Sequence, residues 1–302
     1  MGSNLVFEQV MVLFLIMIVG MIATKRNIID EQARKKMSEL LLYITSPFLV
    51  VSSFNFKYSR DMLVNAGIVL AFALGIHLLA VFLGQFLFRR YPKEKQSVLK
   101  FTLVFSNCGF MGFPVLESLF GKIGVFYGSI YNAVFHIFLW TYGMMLFSRN
   151  KEQTSIAKAV INPGTVSVVI GMVVFLFPIE LPNPVSQVLD MVGSMTAPLS
   201  MLIVGALLGS IDLKSIFIGF DAYYGSLLRL ILMPMIAILA LSPLGIEREL
   251  LGVCVVVTAM PAAANTAIFA EKFDGDSILG SRSVGLSTIL SIITIPLIMM
   301  LV

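Results

Sequence analysis

Ten apolar stretches take up nearly all of this 302-residue chain, running approximately over 5–24, 37–56, 63–88, 98–121, 123–147, 163–179, 184–209, 219–241, 250–271 and 277–302. Most reach the roughly 20 residues needed to cross a hydrocarbon layer as a helix. The sixth is the shortest, fenced by Pro163, Pro178, Pro182 and Pro184. Connections are short, the longest being Ser148 to Asn162, so there is no room for a soluble domain and any function must be built from the spans. Composition agrees: 58% of residues are hydrophobic and 13% charged, and the mean hydropathy is +0.95, where soluble domains carry about 25% charged residues. The expected fold is an all-α polytopic membrane protein of ten transmembrane helices.

Two of these stretches, the fourth and the ninth, are interrupted in mid-span. The fourth reads Ser106-Asn107-Cys108-Gly109-Phe110-Met111-Gly112-Phe113-Pro114 and the ninth Thr258-Ala259-Met260-Pro261-Ala262-Ala263-Ala264-Asn265-Thr266. Both are expected to be broken helices. Inside a bilayer, backbone groups released by proline or glycine must be satisfied by protein, water or a ligand. Broken helices at corresponding positions of two halves are the sequence pointer to a transporter's substrate site near the membrane midplane.

The formal charge of +4 does not mark a nucleic-acid protein, because the basic residues form no patch. Sixteen fall in connections 1-2, 3-4, 5-6, 7-8 and 9-10, including Lys100, Arg149, Lys151 and Lys158. Four (Lys57, Arg60, Lys122 and Arg248) fall on the other side. The positive-inside rule then makes the sixteen-residue side cytoplasmic and turns both termini outward. The remaining one, Arg229, lies inside the eighth span, where snorkelling or pairing with Asp221 is the plain expectation. Glu117, Asp190, Asp221 and Glu271 are expected at solvated span ends. The amino terminus lacks the basic start and small-residue cleavage site of a signal peptide, and position six lacks the hydroxyl of a myristoylation signal. Cys108 and Cys254 lie in different spans and give neither a disulfide framework nor a metal cluster.

Five spans per half is an odd number, so a second half repeating the first must be inserted upside down. Span two carries Thr45-Ser46-Pro47 and span seven Thr196-Ala197-Pro198, about 150 residues later, and spans four and nine recur at a similar shift. The order plain, proline-kinked, plain, broken, plain thus occurs twice. The domains expected are residues 1–150, the first five-helix repeat, and 151–302, its inverted counterpart.

Those residues resemble the auxin efflux carrier family, which includes plant PIN-type auxin carriers and bacterial permeases for malonate, malate and related acids. The resemblance covers nearly the whole chain. Its specific parts are Asn107 to Pro114, Gly128-Ser129-Ile130-Tyr131-Asn132, Ala197-Pro198-Leu199-Ser200 with Gly205, Met260 to Thr266, and the closing run from Ser287 to Pro296. It implies a bile-acid-symporter-like fold in which spans 1, 2, 6 and 7 form a scaffold and spans 3–5 and 8–10 a mobile transport domain. Helices 4 and 9 would cross at their breaks, transport would follow an elevator mechanism, and the scaffold would mediate a homodimer through helices 2 and 7. This chain departs from the plant carriers in its short central loop, and its third span offers only His77 as an ionisable group.

At such a crossing, half-helix N-termini aim unpaired N–H groups and positive dipole ends into a small polar volume, which suits a carboxylate. Asn107 and Asn265 supply amides, Ser106 and Thr266 hydroxyls, and Pro114 and Pro261 would maintain the breaks. Cys108 and Gly109 sit inside the first break and are expected to line it. Asn132 and His136 are one turn apart on the fifth span, beside Tyr131, where they extend the pocket or merely bond a helix interface. His77 and His136 are candidates for proton coupling, with a satisfied interior histidine as the plainer reading of each. No cofactor or metal is expected, and the coupling ion is H+ or Na+.

An intramembrane protease would need paired aspartates or a His-Glu-x-x-His set, and neither is present. A channel or a non-transporting sensor are the alternatives. The expected function is a plasma-membrane carrier of a small organic anion, with partners limited to that anion, the lipid bilayer and a second copy of the chain.

Overall fold

A computed structural model describes residues 3–147, 161–177, 179–273 and 275–302. Arg149, Lys151 and Lys158 of the fifth connection, and Pro178, lie outside the described residues. The described chain is helical throughout, with no strand beyond one isolated backbone bridge. Six helical stretches are long and apolar enough to cross a membrane: Phe7–Lys25, Arg60–Leu87, Cys108–Phe147, Asn183–Ser210, Phe220–Leu244 and Ser277–Met299. Pro163–Leu176 is a shorter apolar helix.

The differences from the ten expected spans have local causes. The second stretch is divided into α2 (Glu31–Leu40), a π turn (Leu41–Thr45) and α3 (Ser46–Ser53), the last starting where Pro47 has no N–H to give. The ninth is divided by its break into α14 (Arg248–Ala259) and α15 (Asn265–Lys272). The fourth ends early as α5 (Lys93–Val104) and resumes in a π turn (Cys108–Gly112) leading into α6 (Phe113–Phe138). Within α6, Gly121 has φ 61° and ψ −150°, a left-handed backbone that only glycine adopts without strain, and it separates the expected fourth and fifth spans. The other elements are α1 (Ser3–Lys25), α4 (Arg60–Leu87), α7 (Met144–Phe147), α8 (Pro163–Leu176), α9 (Asn183–Ser194), α10 (Thr196–Ser210), α11 (Leu213–Ile216), α12 (Phe220–Leu227), α13 (Met233–Leu241) and α16 (Ser277–Met299). A π turn at Leu228–Leu232 joins α12 to α13.

The chain divides into two compact units: residues 1–71, 109–134 and 160–210 form the first, and 72–108, 135–159 and 211–302 the second. In the first, α1 packs along α10, and α3 lies against α8 and α9. Small residues set the α1–α10 spacing. A Cβ on Gly20 would lie 2.3 Å from the Leu202 carbonyl oxygen, and one on Gly205 would lie 1.8 Å from that of Met17. Two carboxylates expected at solvated ends are engaged. Asp190 accepts from Lys122 Nζ at 2.6 Å and from the Ser52 hydroxyl, and Asp221 of the second unit pairs with Lys95 at 2.6 Å. In the second unit α16 is the central element, packed against α5, α11, α12, α14 and α15. Its inward face carries Ser283, Ser287 and Ser291 at four-residue spacing, all fully buried.

The α1–α10 contact leaves no space for even one methyl group. Gly205→Ala is therefore expected to force the helices apart and destabilise the protein by about 1–3 kcal/mol. Thermal unfolding in detergent checks this against Gly67→Ala, where a Cβ meets nothing within 4 Å and no loss is expected.

Candidate functional site

The two breaks meet in the second unit. After α5, Phe105 turns extended (φ −103°, ψ 104°), and after α14, Met260 does the same (φ −61°, ψ 145°). The two extended stretches then pair antiparallel, with Ser106 opposite Ala262. Asn107 N–H donates to the Pro261 carbonyl at 2.7 Å, and Ala263 N–H donates to the Phe105 carbonyl at 2.9 Å. Each break thus supplies partners for backbone groups freed by the other, the solution an apolar interior demands. Ala262 N–H donates to Ser287 Oγ on α16 at 3.1 Å. The sequence reading missed Ser287. The buried serine stripe of the last span was the signal that could have found it.

Arg229 completes the arrangement and corrects the expectation of snorkelling or an Asp221 pair. Lys95 occupies Asp221, and the Arg229 guanidinium is 1% exposed. Its Nη1 donates to the Leu103 carbonyl at 2.7 Å, and its Nη2 donates to that of Thr258. These are last-turn carbonyls of α5 and α14, the two helices that end at the crossing. A helix C-terminus carries about half a negative charge, so one cation holds two negative ends and satisfies orphan carbonyls of both. The planar fork of arginine suits this double contact better than an ammonium would.

Polar side chains around the pairing have unused bonding capacity. Asn107 is 4% exposed and Asn265 half-buried, and among the described residues neither amide side chain forms a hydrogen bond. Ser106 Oγ, Thr266 Oγ1, Ser283 Oγ and Thr288 Oγ1 are buried, and no described residue bonds them. Asn265 opens α15, which has no side-chain cap and no acidic residue in its first turn; its Thr266 and Ala267 N–H groups donate to the Ala263 and Ala264 carbonyls at 2.9 and 3.2 Å, and its dipole begins at the crossing. Cys108 is buried, directly after Asn107.

The structure therefore gathers Asn107, Cys108, Pro261, Asn265 and Thr266 in the second unit. Gly109, Pro114 and Asn132 belong to the first unit. There a Cβ on Gly109 would lie 3.9 Å from Asn132 Oδ1, and Pro114 is the second residue of α6, directly after the π turn. His77 and His136 are in the second unit. His77 is 1% exposed, its Nδ1 donates to the Ala73 carbonyl at 2.7 Å, and its ring stacks on Phe138 with centroids 5.0 Å apart. His136 Nδ1 is buried and no described residue bonds it. Phe135 touches the rings of both His77 and Phe105, at 6.4 and 5.5 Å, and so links His77 to the first break. Among the described residues no group of three or more His, Cys, Asp or Glu side chains could hold a metal ion.

Known proteins give the same direction. The model of a family described as membrane transport protein matches residues 5–157 and 149–299. An uncharacterized transporter of Methanocaldococcus jannaschii is 24% identical over 96% of this chain and 96% of its own length. An uncharacterized transporter of Methanothermobacter thermautotrophicus is also 24% identical, over 98% of this chain and 97% of its own.

Removing the Arg229 fork leaves two buried carbonyls without partners, at about 1–3 kcal/mol each. Arg229→Met is expected to lower the melting temperature and to speed hydrogen exchange at the Asn107 and Ala263 amides, with Arg229→Lys intermediate. Exchange unchanged at both amides would show that the clamp does not hold the crossing.

Proposed function

The chain belongs to the membrane transport protein family, and on that premise we propose that it is a secondary carrier moving a small organic anion by alternating access, with its site at the paired breaks. It is a multi-pass membrane protein and not an enzyme, as its family and its transporter-named relatives are. The resemblance to auxin efflux carriers noted in the sequence is borne out at the level of the family.

The observation that carries the reading is the unused hydrogen-bonding capacity of the buried Ser106 and Thr266 hydroxyls, placed with Asn107 beside the N-terminus of α15, which no side chain caps. Buried polar groups in native proteins are almost always bonded, and a carboxylate or its attendant waters would fill these. Charge favours the same ligand. Arg229 balances the negative ends of α5 and α14, while the positive end of α15 stays unbalanced by any side chain of its own first turn. No lysine is needed at the site itself, because backbone dipoles and amides serve.

On this reading the ten apolar stretches form ten spans in two inverted repeats, with both termini outside the plasma membrane. Movement is of the elevator type, and two copies associate through the second and seventh spans. H+ or Na+ is the coupling ion, and the two histidines are its candidate carriers. Gly109, Pro114 and Asn132 remain candidate substrate contacts of their own unit.

Uptake of labelled mono- and dicarboxylates into proteoliposomes tests this, with imposed proton and sodium gradients. Saturable flux is expected, reduced at least tenfold by Asn107→Ala and by Asn265→Ala with the melting temperature unchanged. Flux that survives both substitutions would remove the paired breaks as the site.

A further inference from the structure

Lys100 was expected among the solvated basic residues of the third connection. Because α5 begins at Lys93, Lys100 instead lies two turns into that helix, one turn before it ends at Val104, with 9% of its surface exposed. Its Nζ donates to Gln85 Oε1 at 2.8 Å and Gln96 Oε1 at 3.1 Å. Both partners are neutral. Among the described residues the ion pairs are Lys35–Glu31, Lys36–Glu39, Lys95–Asp221 and Lys122–Asp190, and none reaches Lys100. Among the described residues this ammonium is held only by amides and has no counter-ion, whereas buried charges are ordinarily paired.

Beside it is a cavity of about 400 Å³, lined among others by Lys93, Gln96, Ser97, Lys100, Phe147 and Phe273. Two ammonium groups and the N-terminal turn of α5 thus border one space, and an apolar wall closes part of it. Among the described residues the one carboxylate on its lining is Glu94, and it pairs with neither lysine. The volume is that of a small-ligand pocket rather than of a few waters.

We propose that this cavity is a second anion site, distinct from the paired breaks, at which Lys100 binds a small carboxylate and loads the transported acid onto the helix that leads to Asn107. The assignment rests on the carrier reading above only for the identity of the ligand. Among the described lining residues positive charge exceeds negative, and that excess would hold any small oxyanion.

The protein has one tryptophan, Trp140, whose ring lies 6.4 Å from Phe269, and Phe269 lies 6.3 Å from Phe147 on the cavity wall. Its fluorescence is therefore a local reporter. The protein is placed in phosphatidylcholine nanodiscs and titrated with malonate, and separately with inorganic phosphate, with calorimetry as a second readout. Wild type and Asn265→Ala are expected to share a saturable Lys100-dependent component. Lys100→Gln should weaken it at least tenfold at unchanged melting temperature, and Lys100→Arg should keep it within about threefold. Tighter binding of malonate than of phosphate assigns the site to the carboxylate, and the reverse order overturns that part of the proposal. In uptake, Lys100→Gln should raise KM and spare the maximal rate. Equal binding of both probes by wild type and Lys100→Gln, or no saturable binding of either, overturns the site. Lys100-dependent binding without any carboxylate flux would instead overturn the carrier reading and leave the cavity standing as an anion site.

Discussion

Everything distinctive in the second unit follows from one constraint: a helix cannot end inside an apolar interior unless its last carbonyls and the next helix's first amides find partners. Two helices end there together. Their extended continuations bond each other through Asn107, Pro261, Phe105 and Ala263, and the Arg229 fork takes the Leu103 and Thr258 carbonyls. Neither break would be tolerable alone. An isolated α5 end would leave Phe105 and Asn107 unpaired, and an unpaired Arg229 would be a buried charge costing several kcal/mol.

Electrostatics is the basis on which the crossing is proposed as a site. Each broken helix brings one negative and one positive end to the neighbourhood of its break. Arg229 balances the negative ends of α5 and α14, but α15 begins without a cap or an acidic first turn. The residual potential is positive, in a place where Ser106, Asn107 and Thr266 have bonds to offer. The hydroxyls of α16 contribute differently, since Ser287 accepts from Ala262 N–H and fixes the second break rather than adding to the vacant capacity.

The first unit is held by contacts of another kind. Its α1–α10 seam depends on glycines where backbone meets backbone, and its aromatic cluster packs Phe54 on Phe126 at 4.5 Å and Phe126 on Phe175 at 5.4 Å. Lys122, Ser52 and Asp190 add a polar tie among α3, α6 and α9. Close van der Waals contact along that seam holds the unit, although the π turn before Pro47 and the kink at Gly121 also interrupt its helices.

The sequence by itself determined that the chain is helical and membrane-spanning, because uninterrupted apolar runs of about 20 residues permit little else. It also marked both interruptions to within a few residues: Pro261 lies in the extended stretch itself, whereas the first break falls at Phe105–Asn107, just ahead of Gly109 and Gly112 in the π turn and of Pro114 in α6. The asparagines beside them were legible with them. Tertiary structure decided what each break bonds to. Arg229 and the carbonyls of Leu103 and Thr258 are far apart along the chain, and nothing local distinguishes a clamping arginine from a snorkelling one. Likewise Lys100 read as one more cytoplasmic lysine until the start of α5 at Lys93 carried it inside, next to Gln85 on another helix. Local backbone chemistry is written residue by residue, whereas the partner of a buried charge is chosen only when distant helices pack.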